Sequence, residues 1–215
     1  CYSGEWTDWQ MAAIPIKSLG RELVDNMADM AHFGPIHYSK VKSFKNTMEG
    51  HKFVQYMVGG HQILTEGDGG LITSVATYEG PAYMTTTMTG LMDGHPMTTH
   101  LLVSHIPVDM HNFVINFGVM MKKDPNISEA GNKAMVEEYT EKNIESFHQD
   151  VAIWNNKCII DNPLMCDGDG PIHLVRKWYS QFMTNIADIR EDQVRAREHV
   201  TLEGPSVEEV IASMG

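Results

Sequence analysis

Val41-Lys42-Ser43-Phe44-Lys45-Asn46-Thr47-Met48, then Glu49-Gly50-His51, then Lys52-Phe53-Val54-Gln55-Tyr56-Met57-Val58: two β-rich runs stand on either side of a turn. The spacer is of hairpin length, whereas parallel neighbours need a crossover of a dozen or more residues, so the pair reads as antiparallel. The same punctuation continues downstream. Further runs at 71–78, 82–89, 97–106 and 112–121 are separated by Gly59-Gly60, Gly67-Asp68-Gly69-Gly70, Glu79-Gly80-Pro81 and Asp93-Gly94. An antiparallel sheet is therefore expected across the middle of the chain. Outward from it, residues 9–16 read as one more strand. Ser18 is a plausible N-cap for a helix expected to run to about Phe33. On the other side Asp124-Pro125-Asn126 closes the sheet and Ser128 caps a long helix to about Trp154. A shorter helix is expected from Ile172 to about Ile186, and the charged tail from Arg190 is expected to lie on the surface. With no internal repeat, linker or low-complexity segment, residues 1–215 read as a single α+β domain.

The 215 residues are 42% hydrophobic, enough for one sizeable core. Sixteen basic against 28 acidic residues give a net charge of -12, which argues against nucleic acid or an anionic membrane surface as the main partner. No apolar run approaches the ~18 residues of a membrane span, and no signal-peptide pattern opens the chain, so a cytoplasmic protein is expected. Cys1, Cys158 and Cys166 form neither a Cys-x-x-Cys nor a Cys-x-His pair, which disfavours a disulfide framework or a thiolate metal site. Cys158 and Cys166 are expected to be reduced and semi-buried. The chain begins on Cys1 rather than Met, and Glu5-Trp6-Thr7-Asp8-Trp9 reads as mid-domain sequence, so a piece of a longer protein is expected. Sixteen methionines suit either ordinary core filling or a pocket for a bulky, rigid, apolar ligand.

The chemistry is concentrated in Asp29-Met30-Ala31-His32-Phe33-Gly34-Pro35-Ile36-His37. Its two imidazoles are five residues apart, and on an unbroken helix the second would be turned roughly 140° from the first. Gly34-Pro35 is expected to end the helix and let His37 fold back toward His32. A third group comes from the long helix. At ideal pitch Asp150 lies among Met135, Val136, Tyr139, Asn143, Phe147, Ile153 and Trp154, opposite Glu137, Glu138, Glu141 and Glu145. A carboxylate in a buried stripe calls for a cation, a metal, a proton or a hydrogen-bonded partner. Two imidazoles and one carboxylate with open positions form the facial triad of non-haem ferrous sites. Zinc with the same donors is the chemical alternative, although the His-Glu-x-x-His pattern of zinc hydrolases is absent. The other histidines (51, 61, 95, 100, 105, 111, 148 and 173) read as structural or exposed.

With these residues in place, the chain resembles the catalytic domain of Rieske-type non-haem iron oxygenases, above all the oxygenase components of 3-ketosteroid 9α-hydroxylases. Asn26-x-x-Asp29-x-x-His32-x4-His37 followed by Asp150 carries the wider resemblance. Phe44-Lys45-Asn46, Gln149-Asp150-Val151-Ala152-Ile153-Trp154, Ile160-Asp161-Asn162-Pro163-Leu164, Asp169-Gly170-Pro171 and Arg176-Lys177-Trp178-Tyr179 narrow it. The resemblance implies a helix-grip fold, a curved antiparallel sheet wrapped on the long helix around a steroid-sized cavity. It implies mononuclear Fe(II) held by His32, His37 and Asp150. Asp29 would match the acid that leads to the [2Fe–2S] cluster of a neighbouring subunit, with Asn26 beside it. Met27, Gln55, Tyr83, Phe147 and Trp154 would lie at or near the ligand cavity. Steroid or sterol substrate, O2, a ferredoxin-type reductase and a homotrimer follow from the same resemblance. The Cys-x-His … Cys-x-x-His pattern of the cluster domain is not found in these 215 residues, so the cluster is expected on a missing or separate domain. Two other readings stay open: a sterol desaturase of the same superfamily, and a catalytically inactive steroid- or lipid-binding module.

Overall fold

A computed structural model describes residues 4–61, 63–65, 70–92 and 95–214. Cys1 and the expected turns at Gly67-Asp68-Gly69 and Asp93-Gly94 lie outside the described residues. Eight strands form one antiparallel sheet: β1 (Gln10–Ile16), β2 (Val41–Glu49), β3 (Lys52–Gly59), β4 (Ile72–Glu79), β5 (Tyr83–Met92), β6 (His95–Pro107), β7 (Phe113–Met121) and β8 (Arg197–Leu202). Their spatial order is β1-β7-β6-β5-β4-β3-β2-β8, so β2 to β7 form a continuous meander and the two ends of the chain supply the edges.

Register turns the two-residue side-chain period into one apolar face. Phe44 faces Met57, Met48 faces Phe53, Phe53 faces Tyr78, and Tyr78 faces Met84, all of them buried. Between these large side chains run smaller ones: Ser74, Ala76 and Thr86. Helix α1 (Gly20–Asn26), α2 (Phe33–His37), α3 (Glu129–Trp154) and α4 (Ile172–Tyr179) contribute to the same apolar core, α3 lying against β1, β7 and α2. Ser128 Oγ accepts the Gly131 N–H and caps α3, as its sequence predicts. After two 3-10 turns and α5 (Glu191–Val194), α6 (Val207–Ser213) packs against β3 and β4, where Val58, Val207 and Val210 form a second, smaller cluster. No helix among the described residues is long and apolar enough to cross a membrane.

The expected helix from Ser18 to Phe33 is not one helix. Leu19, not Ser18, is the N-cap of α1, and α1 stops at Asn26. The cause is tertiary. Asn46 and Gln55, paired across β2 and β3, both donate their side-chain amides to the Met27 carbonyl, at 3.1 and 2.8 Å. That acceptor is therefore taken up by the sheet at the point where a continuing helix would need it. Nor does Pro35 end a helix. It is the third residue of α2, where a missing N–H costs nothing, and Gly34 is helical beside it. The reversal comes at Tyr38, whose φ of 49° is left-handed. Two smaller expectations also fail: the helix from Ile172 breaks into 3-10 turns after Tyr179, and Cys158 and Cys166 are exposed. The tail after Arg190 lies largely on the surface, as expected, and supplies the edge strand β8.

Candidate metal centre

His32 ends the turn that follows α1, His37 closes α2, and Asp150 comes from the penultimate turn of α3. One ligand atom from each lies within 4.8 Å of the other two. His37 Nε2 is 3.3 Å from Asp150 Oδ2, and the two imidazoles meet edge to face at 5.3 Å between centroids. An intact short helix therefore does not hold the rings apart, contrary to the simple 140° argument. His32 stands at the N-cap, in the turn before α2, so the two rings come from different segments and can meet.

The outer nitrogens are held differently. His37 Nδ1 is 2.9 Å from Gln149 Oε1, next to Asp150 on α3. His32 Nδ1 faces Asp29 Oδ2 at 3.6 Å and has no hydrogen-bond partner, while Asp29 Oδ1 accepts the His32 backbone N–H. Asn26 Nδ2 reaches His32 Nε2 at 3.4 Å and donates to Asp150 Oδ1 at 3.5 Å, so it is the amide donor at the centre of the cluster. Burial pushes the His37 pKa down, but the adjacent Asp150 carboxylate, by hydrogen bond and charge, and then Gln149 outweigh it and raise the pKa above the usual value.

The cluster stands in a wall between two spaces. On one side is a cavity lined mainly by apolar side chains such as Met57, Met84, Met88, Leu101 and Phe147. On the other is a polar recess bordered by Glu22, Asp25, Asp29 and Lys157. Asn26, His32 and Asp150 border both.

A family model described as the 3-ketosteroid 9alpha-hydroxylase C-terminal domain matches residues 1–183. The chain belongs to that family. The oxygenase component of a 3-ketosteroid-9-alpha-monooxygenase from Rhodococcus rhodochrous is 41% identical over 201 residues, covering 90% of this chain and 52% of that protein. A namesake from Mycobacterium tuberculosis is 36% identical over 202 residues, covering 91% and 52%. The chain thus spans about half the length of the curated relatives it matches. Among solved structures, NdmB of Pseudomonas putida CBB5 superposes with a TM-score of 0.60 at 12% identity, covering 92% of this chain and 57% of that one. At that identity the likeness speaks for the fold alone.

Within this family domain the expected cavity residues divide. Met27, Gln55 and Phe147 line the apolar cavity. Tyr83 does not: it is 46% exposed, and the strand alternation puts it opposite Met84, Thr86 and Met88. Trp154 is buried, but it borders the polar recess instead. Ile153, placed on the buried stripe by helical pitch, is exposed.

Glu22 and Asp25, both on α1, are only 1% and 3% exposed. Arg176 clasps Asp25 through two nitrogens at 2.9 and 2.7 Å, and Lys157 reaches Glu22 at 2.7 Å. Burial still raises the Asp25 pKa, with Arg176 opposing. His61, expected from the sequence to be structural or exposed, is buried beside the cluster. Its ring stacks on His37 at 5.0 Å, and its Nε2 lies 3.0 Å from Ser146 Oγ. A lone histidine after Gly59-Gly60 gave no signal of this, because the contact joins residues far apart in the chain.

Proposed function

We propose that this chain is the mononuclear-iron catalytic domain of a steroid-ring-hydroxylating monooxygenase, with His32, His37 and Asp150 holding Fe(II). The observation that carries the reading is the donor set itself. A ring nitrogen from each imidazole and a carboxylate oxygen converge within 4.8 Å, with the Asn26 amide as the hydrogen-bond donor among them. Converging lone pairs of this kind are costly when buried and fit a divalent cation. Fe(II) bound there, with open positions, would supply the activation of O2.

The chain's own residues account for the rest. Asn46 and Gln55 anchor the end of α1, and so fix where Asn26 and the following turn present their side chains. The methionine-rich cavity would take the rigid apolar body of a steroid beside the cluster and exclude water from it. The long α3 against the sheet suits a helix-grip arrangement. Asp29, partly exposed at the polar recess, would meet a cluster-bearing domain of a neighbouring subunit in a trimer. The [2Fe–2S] cluster, a ferredoxin-type reductase and a 3-ketosteroid substrate belong to this same proposal, supported by the names of the relatives.

Anaerobic titration with Fe(II), followed by metal analysis after gel filtration, tests the reading. One iron per chain is expected, with His32→Ala and Asp150→Asn each cutting retention at least tenfold while thermal unfolding stays cooperative. Equal retention by the variants, or none by the parent chain, overturns it.

A further inference from the structure

We infer that Gln149 is a positioning residue that sets the tautomer of His37 and so presents its Nε2 to the centre; this rests on the metal-site reading above. Gln149 Oε1 is 2.9 Å from His37 Nδ1. An amide oxygen only accepts, so Nδ1 donates to it, and Nε2, which shares its proton with Asp150 Oδ2 at 3.3 Å, is the nitrogen left to give that proton up to a metal. Gln149 and Asp150 are consecutive on α3, and their side chains diverge by about 100° around the helix axis. The imidazole of His37 sits in that angle, with one residue against each of its nitrogens. Its face is covered as well, because the His61 ring stacks on it at 5.0 Å with 26° between planes. One rigid helix thus brings both a proposed ligand and the group that orients a second one. His32 has no such arrangement, its Nδ1 being 3.6 Å from Asp29 and without a hydrogen bond. The two imidazoles are held unequally, and α3 controls His37.

The experiment compares the parent chain with Gln149→Leu, which keeps the volume but loses the acceptor, and with Gln149→Glu, which restores one. Cobalt(II) affinity is measured by chelator competition, alongside thermal unfolding. Gln149→Leu is expected to bind cobalt about 10- to 100-fold more weakly with an unchanged unfolding midpoint, and Gln149→Glu to return within a few-fold of the parent. Nitrogen-15 spectra of the metal-free chains at alkaline pH give an independent readout. The His37 ring should carry a larger Nδ1–H share in the parent than in Gln149→Leu, where the Asp150 carboxylate alone draws the proton to Nε2. Parent-like cobalt binding by Gln149→Leu, or Gln149→Glu as weak as Gln149→Leu, overturns the inference. If the parent chain takes up no cobalt, the metal-site reading falls, and the nitrogen spectra alone decide: identical tautomers in parent and Gln149→Leu overturn the role of Gln149.

Discussion

Buried histidines in this chain carry charge according to what each ring faces. His37 faces a carboxylate, and its pKa is raised even though burial opposes it. His105 faces Tyr78 and Phe113, its Nδ1 has no partner, and burial pushes its pKa down to about 4. The signs are opposite. The unfolded chain protonates His105 near pH 6.5 while the folded chain resists, so the stability it contributes is present above that pH and lost as pH falls toward 4. By linkage the loss is about 3 kcal/mol once both states are protonated. Denaturant midpoints measured between about pH 7 and pH 4.5 should fall steeply in the parent chain and less steeply in His105→Leu. His37 behaves the other way in the metal-free chain: stability from its pairing with Asp150 is present below its unfolded pKa and lost as pH rises through the folded one. Metal must displace that proton, so apparent cobalt affinity should climb as pH rises above about 6.5, which a chelator-competition series would measure. At this scale the sequence was uneven. Asp150 was legible because a helical stripe can be counted along one segment, whereas His61 and Gln149 act on His37 across 24 and 112 residues.

Elements were more legible than the turns between them. All of the expected strands form, because the side-chain period and the turn residues are local signals that long-range pairing reinforces. The ends of α1 and α2 were misread because they are set from outside. The sheet amides of Asn46 and Gln55 stop α1 at Met27, and a distant loop then presses on the next residue. Gly170 has φ of 78°, and a methyl group there would run into the Ala28 carbonyl. Gly170→Ala therefore combines left-handed strain with a clash against backbone that cannot swing aside. The expected result is destabilisation by about 2 kcal/mol or more, in the range for strained backbone sites. Because Ala28 adjoins Asp29, cobalt affinity should fall as well. A parent-like unfolding midpoint would refute the tight approach, and normal cobalt binding in a destabilised variant would show that the turn after α1 tolerates the shift.

At the scale of the whole molecule, the cavity follows from register rather than from any motif. Gln55, Ala76, Thr86 and Leu101 are successive cross-strand partners on β3, β4, β5 and β6, and all four line the cavity. A row with alanine and threonine at its middle, between rows that carry Met57, Met84 and Met88, leaves space where a full-sized row would fill it. Composition gave the sixteen methionines but not this row, since the pairing that aligns it is visible only in three dimensions. The strand within the charged tail was hidden for the same reason: β8 acquires its place from β2. Ala76, 3% exposed on the central β4, is therefore the place to fill the space. Ala76→Phe should occupy the room of a steroid ring while leaving the His32, His37 and Asp150 geometry alone. For the parent chain, a 3-ketosteroid at about a hundred times its dissociation constant should stabilise the fold by ~2.7 kcal/mol, seen as a rise in melting temperature. Ala76→Phe should lose that rise yet bind cobalt as the parent does. If the steroid still stabilises Ala76→Phe, the ligand sits elsewhere; if cobalt binding is lost too, cavity and metal cluster are not separable in the way this register implies.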